Sequence, residues 1–192
     1  SIGRRVREEG LDVRGVPTSF ASERLACTYG IPLTTLDDSP DLDLALDGAD
    51  EVDGALRLIK GRGAAHVREK VVATQADRFV VLVDPTKQVD QLGVQSGLPV
   101  EVLPMAVTPV MRTLETLGAT PELRMGEKKD GPVVTDQGFW IVDAHFSEGI
   151  ENPADLNQRL CGVPGVLDHG LFLELATDVF VGHSDGSVDH LS

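Results

Sequence analysis

The stretch "IKGRGAAHVREK", residues 59–70, decides the reading of this chain. Lys60 stands directly before Gly61-Arg62-Gly63, and a helical pattern follows. A helix beginning near Gly63 or Ala64 puts Ala65, Glu69, Val72 and Ala73 at i, i+4, i+7 and i+8, on one face. Glu69 is the only charge on that face. A carboxylate beside apolar neighbours has a raised pKa, which suits a general base working near neutrality. The plain alternative is that Glu69 pairs with Arg68, Lys70 or a neighbouring segment.

Outward from this stretch, strands alternate with helices. "SIGRRVREEG" reads as the tail of an amphipathic helix stopped by Gly10. "LDVRGVPTS" reads as a strand ending in Thr18 and Ser19, "FASERLACTYG" as a helix closed by Gly30, and "IPLTTL" as a strand. "LDLALD" is a strand stopping at Asp47, and "ALRLIKG" is extended. The helix "GAAHVREKVVATQA" leads into "DRFVVLVDPTK", whose five successive apolar residues fit a strand covered on both faces. The expected fold is α/β, with a doubly wound, mostly parallel, Rossmann-like sheet. Ligands of such sheets bind beyond the carboxyl ends of the strands. Three expected strand ends carry polar residues: Thr18 with Ser19, Asp47 with Asp50, and Asp84 with Lys87.

The pattern changes near residue 96. "LPVEVLP" is a strand, "AVTPVMRTLETLG" a helix and "TPELRM" a strand. "GPVVTDQGFWIVDAHF" reads as two strands about Gln137-Gly138, and "NPADLNQRLCGVPG" as a helix before an extended "VLDHGLF". A second, smaller α+β domain is expected over 96–172, with 1–95 and 173–192 forming the catalytic domain. The end, "DVFVGHSDGSVDHL", reads as a hairpin turning at Asp185-Gly186.

Composition excludes several classes. The net charge is −14, from 31 acidic and 17 basic residues. Such a surface repels nucleic acid and anionic membrane, so neither is expected as a partner. Only five of the basic residues are lysine, and an acidic, lysine-poor surface stays soluble where salt screens self-repulsion, as in a halophile. The longest apolar run, Phe79–Val83, is too short to span a bilayer. No secretory signal is expected. Cys27 and Cys161 are far apart without C-x-x-C spacing, which fits two buried thiols in a reducing cytoplasm. The five histidines show no ligand spacing, and no metal site is expected.

Three further clusters bear on chemistry. "DGADEVDG" carries four carboxylates over positions 47–53. It is either a solvated acidic loop or cation site, or a pair, Asp47 and Asp50, aimed into one cleft. Two acids and a lysine in a cleft can move protons among sugar hydroxyls. Lys87 in "DPTK" is placed to hold a phosphate, or else is a solvated surface lysine. Gly61 and Gly63 fit half of G-x-G-x-x-G, and Asp84 lies 21 residues after Gly63, where a ribose-binding acid could sit. Against a nicotinamide cofactor, the third small position is His66. A tight turn explains the glycines as well.

Taken in order, "LALDGADEVDG", "LIKGRGAAHVREK", "FVVLVDPTKQVDQLG" and "LPVEVLPMA" resemble type A ribose-5-phosphate isomerases. "GVPTSFASERLA", "ELRM", "VTDQG" and "GVPGVLDHGLF" extend the resemblance over nearly the whole chain. The resemblance implies an aldose–ketose isomerase that interconverts D-ribose 5-phosphate and D-ribulose 5-phosphate through an enediol(ate), in the non-oxidative pentose phosphate pathway. It implies no cofactor, a sugar-phosphate ligand and a cytoplasmic homodimer or homotetramer. By position, Glu69 resembles the base that shuttles a proton between C2 and C1. Asp47 and Asp50 resemble the aspartates that hold the hydroxyls and assist ring opening. Lys60 resembles the lysine at the reacting end, and Lys87 a phosphate contact. Gly61 and Gly63 let backbone approach the sugar, and Thr18 and Ser19 lie near the same cleft. Two departures stand out. The family's upstream strand and Gly-Thr-Gly-Ser-Thr phosphate loop are expected to be missing here. Arg62 also replaces a glycine common in the family's loop. The alternatives are a non-catalytic sugar-phosphate sensor on the same fold, or an NAD(P)-dependent oxidoreductase.

Overall fold

The computed structural model describes residues 2–192; Ser1, the first residue of the expected opening helix, lies outside them. Along the chain run α1 (Ile2–Glu9), α2 (Phe20–Tyr29), β1 (Leu42–Asp47), β2 (Glu51–Val52), β3 (Leu58–Ile59), α3 (His66–Ala73) and β4 (Ala76–Val83). After them come β5 (Leu98–Val102), α4 (Val107–Thr116), β6 (Thr120–Leu123), β7 (Trp140–His145) and α5 (Pro153–Cys161). The chain closes with β8 (Val166–His169), β9 (Leu171–Phe172), β10 (Asp178–Gly182) and β11 (Val188–Leu191).

Three sheets organise these elements. The first has the order β1-β4-β10-β11, parallel across β1, β4 and β10, with β11 antiparallel at the edge. Its register sets Asp47 beside Val81, so the site residues of β1 stand at the carboxyl end. The second, β2-β3-β9, is a short antiparallel ribbon. The third, β6-β7-β5-β8, is antiparallel throughout. One buried cluster gathers Val100, Val110, Leu114, Val142 and Leu160, and takes in Ile59 and Leu92 as well. The other gathers Ala45, Val72, Phe79, Val81, Phe172 and Val179 under the parallel sheet.

Several expected elements are shorter than the sequence pattern implied. The segments at 11–19 and 31–36 meet through a single parallel bridge, Gly15 to Leu33, because neither has a second ladder to extend against. The first arm of the expected hairpin at 131–146 makes only the bridges Met125–Pro132 and Val134–Trp140. Helix α3 starts at His66, not near Gly63, because Ala64 at φ +56° turns the chain and donates to the Gly61 carbonyl at 2.9 Å. Leu82 is half exposed, so β4 is not covered on both faces: with Ala49, Lys87, Phe180 and Val188 it lines an open hollow. Both cysteines are exposed rather than buried; Cys161 is the last residue of α5.

His66 and His169 are both fully buried. Burial is the main cause that lowers His66 to about 3 and His169 to about 4, and the nearby Lys70 ammonium adds to both shifts. The native state therefore keeps both rings neutral, while the unfolded chain takes up protons near pH 6.5. Stability from this source is present above that pH and is lost as pH falls toward 4. Each ring contributes a slope of about 1.4 kcal/mol per pH unit within that window. Urea unfolding between pH 7 and 4.5 is expected to show a shallower stability decline in His66→Leu than in the parent. Equal slopes would remove His66 as a source.

Candidate active site

The acidic loop after β1 divides its four carboxylates by the direction in which each faces. Asp50 donates its backbone N–H to the Ile59 carbonyl at 2.8 Å, and Glu51 pairs with Ile59 across the β2–β3 ladder. This ladder sets the 47–50 turn against Lys60. Glu51 is fully buried and accepts from the backbone N–H groups of Gly93 (2.5 Å), Gln95 (2.7 Å) and Ser96 (2.5 Å). Asp53 accepts from the Ala55 and Arg57 N–H groups and pairs with the Arg57 side chain at 2.6 Å. Glu51 and Asp53 therefore hold loops, while Asp47 and Asp50 are left for the cleft.

Lys60 is the hub. It is 3 % exposed, and its Nζ reaches Asp47 Oδ2 at 2.9 Å, Glu69 Oε2 at 3.0 Å and the Gly48 carbonyl at 2.6 Å. The Gly48 carbonyl takes a hydrogen bond from the ammonium, and the two carboxylates flank it as ion pairs. The lysine backbone is held as tightly. Its N–H donates to the Gly170 carbonyl at 2.9 Å, and a Cβ on Gly170 would lie 2.1 Å from the Lys60 carbonyl oxygen. Only glycine permits that approach.

Glu69 occupies the first turn of α3, with its side chain 16 % exposed, while Val72 and Ala73 on the same face are buried. Burial raises its pKa; Lys60 opposes that shift, and the Asp47 and Asp50 charges add to it. The carboxyl is thus poised above its ordinary value while remaining hydrogen-bonded to a cation. Asp47, Glu69 and Thr18 line one hollow of about 800 Å³, floored by Ala45, Val72 and Phe79. Asp50 closes onto the glycine loop, its Oδ2 accepting from the Arg62 N–H at 3.0 Å. The Arg62 residue is exposed.

The two glycines differ in role. Gly61 holds φ +114°, and a Cβ there would lie 2.7 Å from His66 Nδ1. Gly63 faces open space. Ser19 is committed to α2 as its N-cap, accepting from the Ser22 N–H at 3.1 Å. Asp84 caps the turn Pro85–Lys87, accepting from the Thr86 N–H at 2.8 Å, and the Thr86 hydroxyl and N–H hold its carboxyl below the usual range. Asp84 and Lys87 line the separate hollow beside Ala49. The structure therefore brings Asp47, Lys60 and Glu69 into direct contact with Asp50 alongside, and sets Asp84 and Lys87 on the far side of the 47–50 turn.

Contacts not expected from the sequence also tie down this centre. Lys70 donates to Asp168 Oδ1 and to the His169 carbonyl, both at 2.6 Å, tying α3 to β8. Asp136 accepts from the Phe20 N–H at 2.9 Å at the start of α2, and from Arg68 on α3. Arg124 donates to the carbonyls of Gly61 and Arg62. No local spacing marks these partners.

Known proteins share this sequence and this fold. Residues 14–186 match the model of the ribose 5-phosphate isomerase A (phosphoriboisomerase A) family. The chain is 54 % identical over 179 residues to the ribose-5-phosphate isomerase A of Trichodesmium erythraeum, covering 93 % of this chain and 75 % of that one. Its fold superposes on ribose 5-phosphate isomerase A from Methanocaldococcus jannaschii with a TM-score of 0.94 at 44 % identity, covering all of this chain and 83 % of the other. A D-ribose-5-phosphate isomerase solved in complex with phospho-erythronic acid gives 0.95 at 43 % identity, with the same coverage. On sequence and structure together, this chain belongs to the ribose 5-phosphate isomerase A family.

Proposed function

We propose that the hollow beside Lys60 is where this chain interconverts D-ribose 5-phosphate and D-ribulose 5-phosphate, with Glu69 as the proton-transferring base. The observation that carries the reading is the Asp47–Lys60–Glu69 chain of contacts, 2.9 and 3.0 Å long, whose two carboxylates line one hollow of about 800 Å³. The Glu69 carboxylate takes the proton from C2 of the open-chain aldose, and the C–H electron pair forms the enediolate. The same proton, now on Glu69, is delivered to C1 while the hydroxyl proton of O2 passes to O1, so that C2 becomes the ketone carbonyl. Asp47 and Asp50 hold sugar hydroxyls and assist ring opening, with Thr18 beside them.

The wiring of Lys60 supports this step. Protonating Glu69 removes one of the two charges holding the ammonium. The contact to Glu69 is thereby weakened, and the ammonium is freer to donate as negative charge develops on the substrate oxygen, the moment at which a donor has most effect. Gly61 and Gly63 keep the loop backbone low beside the sugar. The phosphate is assigned to Lys87, whose hollow lies across the 47–50 turn; Asp84 supports that lysine's turn, and Ser19 the start of the α2 helix. Phospho-erythronic acid, the ligand of the related enzyme, joins a phosphate to a planar carboxylate. It therefore mimics both ends of an enediolate phosphate. Assembly as a homodimer or homotetramer and a cytoplasmic setting belong to the same proposal and rest on the family resemblance. Among the described residues no helix is long and apolar enough to cross a membrane.

A coupled assay for ribulose 5-phosphate formation from ribose 5-phosphate tests the reading. Turnover is expected at the same rate with and without added NAD(P). Turnover only with the nucleotide would favour an oxidoreductase, and binding without turnover a sensor.

A further inference from the structure

We propose that Arg124 is a positioning residue for Asp50, acting through a single peptide group of the glycine loop. Arg124 directly follows β6, at the edge of the antiparallel third sheet. Asp143 on β7 grips it in a fork: Nε donates to Oδ2 at 2.7 Å and Nη2 donates to Oδ1. Such a fork fixes the plane of the guanidinium. The remaining nitrogen, Nη1, is thereby aimed at the loop, where it donates to the carbonyls of Gly61 and Arg62, both at 3.0 Å.

The peptide between Gly61 and Arg62 thus has its carbonyl on Arg124 and its N–H on Asp50 Oδ2, at 3.0 Å. A trans peptide points these two groups in opposite directions within one plane, so cation and carboxylate hold that plane from either side. Gly61 at φ +114° leaves the peptide free to rotate without such a hold. A cation on the carbonyl also strengthens the opposite N–H as a donor to the carboxylate. The line Asp143–Arg124–peptide 61–62–Asp50 therefore carries orientation from the third sheet into the hollow. Arg124 touches no reacting atom; it sets the direction of a side chain that does.

This inference rests on the role proposed for Asp50. The full chain is tested as a cycle of Asp50→Ala, Arg124→Ala and the double variant, with kcat and KM measured for ribose 5-phosphate. Arg124→Ala is expected to lower kcat about tenfold with KM changed less than about threefold, and to lower kcat less than about twofold when Asp50 is already alanine. Equal losses in both backgrounds, or no loss in either, overturn the inference. Wild-type turnover in Asp50→Ala alone would instead overturn the role given to Asp50. Where Arg124→Ala does not fold, Asp143→Asn breaks the fork and enters the same cycle. Where Asp50→Ala turnover is too slow to measure, the cycle is read from the Kd of phospho-erythronic acid, with the same criterion.

Discussion

Glu69→Gln is expected to lower kcat by at least about 10²–10⁴-fold, the range that a positioned general base supplies, while phospho-erythronic acid still binds. The substitution keeps shape and removes only proton affinity. The introduced amide oxygen can still accept from Lys60, whose Nζ lies 3.0 Å from Glu69 Oε2 in the parent, so the ammonium keeps its seat between Asp47 and α3. The hollow walls, Val72 and Phe79 among them, are untouched. Loss of rate with retained binding is thus the signature of a missing base rather than a collapsed site. The parent's pH profile gives an independent reading. Burial raises Glu69 above the ordinary glutamate value of 4.5, and the base works only when ionised. kcat/KM is therefore expected to fall on acidification through a limb centred above 4.5. A Glu69→Gln variant that turns over within tenfold of the parent would dismiss Glu69 as the base.

What the sequence disclosed about this site follows distance along the chain. Lys60 and Glu69 are joined by one turn and the first residues of one helix, so helical spacing alone set the carboxylate on the apolar face with Val72 and Ala73. Asp47 was legible as a strand end. The sequence could not say which acids of the 47–53 loop point outward. That choice is made by the β2–β3 ladder and by backbone donors of residues 93–96, more than forty residues away. His66 was visible only as a misfit to G-x-G-x-x-G. In the fold it is a buried ring packed against Gly61, so that glycine's need is set by histidine as much as by ligand. Its ring nitrogens have no hydrogen-bond partner among the described residues, which is why its charge state is set by burial. Arg124 was legible only as part of "ELRM", with no role attached, since its partners lie at 61, 62 and 143. The strands expected at 11–19 and 31–36 are reduced to a single bridge. Alternation gives a strand its faces, but only a neighbouring ladder gives it length.

Lys60→Met should have the second largest effect, in two separable ways. Methionine fills the channel past Phe172, whose ring centroid lies 5.4 Å from Nζ, but supplies no donor. Loss of an oxyanion donor lowers kcat by about 10²–10³-fold. The second effect is on protons. Lys60 is the cause that opposes the rise in the Glu69 pKa, against burial and the Asp47 charge. Without it the Glu69 pKa rises further, and the acid limb of kcat/KM moves to higher pH than in the parent. The same change governs stability. A carboxyl whose folded pKa exceeds its unfolded value binds protons preferentially in the native state, so the variant is most stable in acid and loses stability as pH rises. Removing one partner of a buried pair costs about 3–5 kcal/mol, and less here because Asp47 and Glu69 keep 29 % and 16 % side-chain exposure. The gap in melting temperature between parent and variant should therefore widen from pH 5 to pH 8. A pH-independent gap, with an unmoved acid limb and kcat within threefold of the parent, would show that Lys60 neither tunes Glu69 nor serves the developing oxyanion.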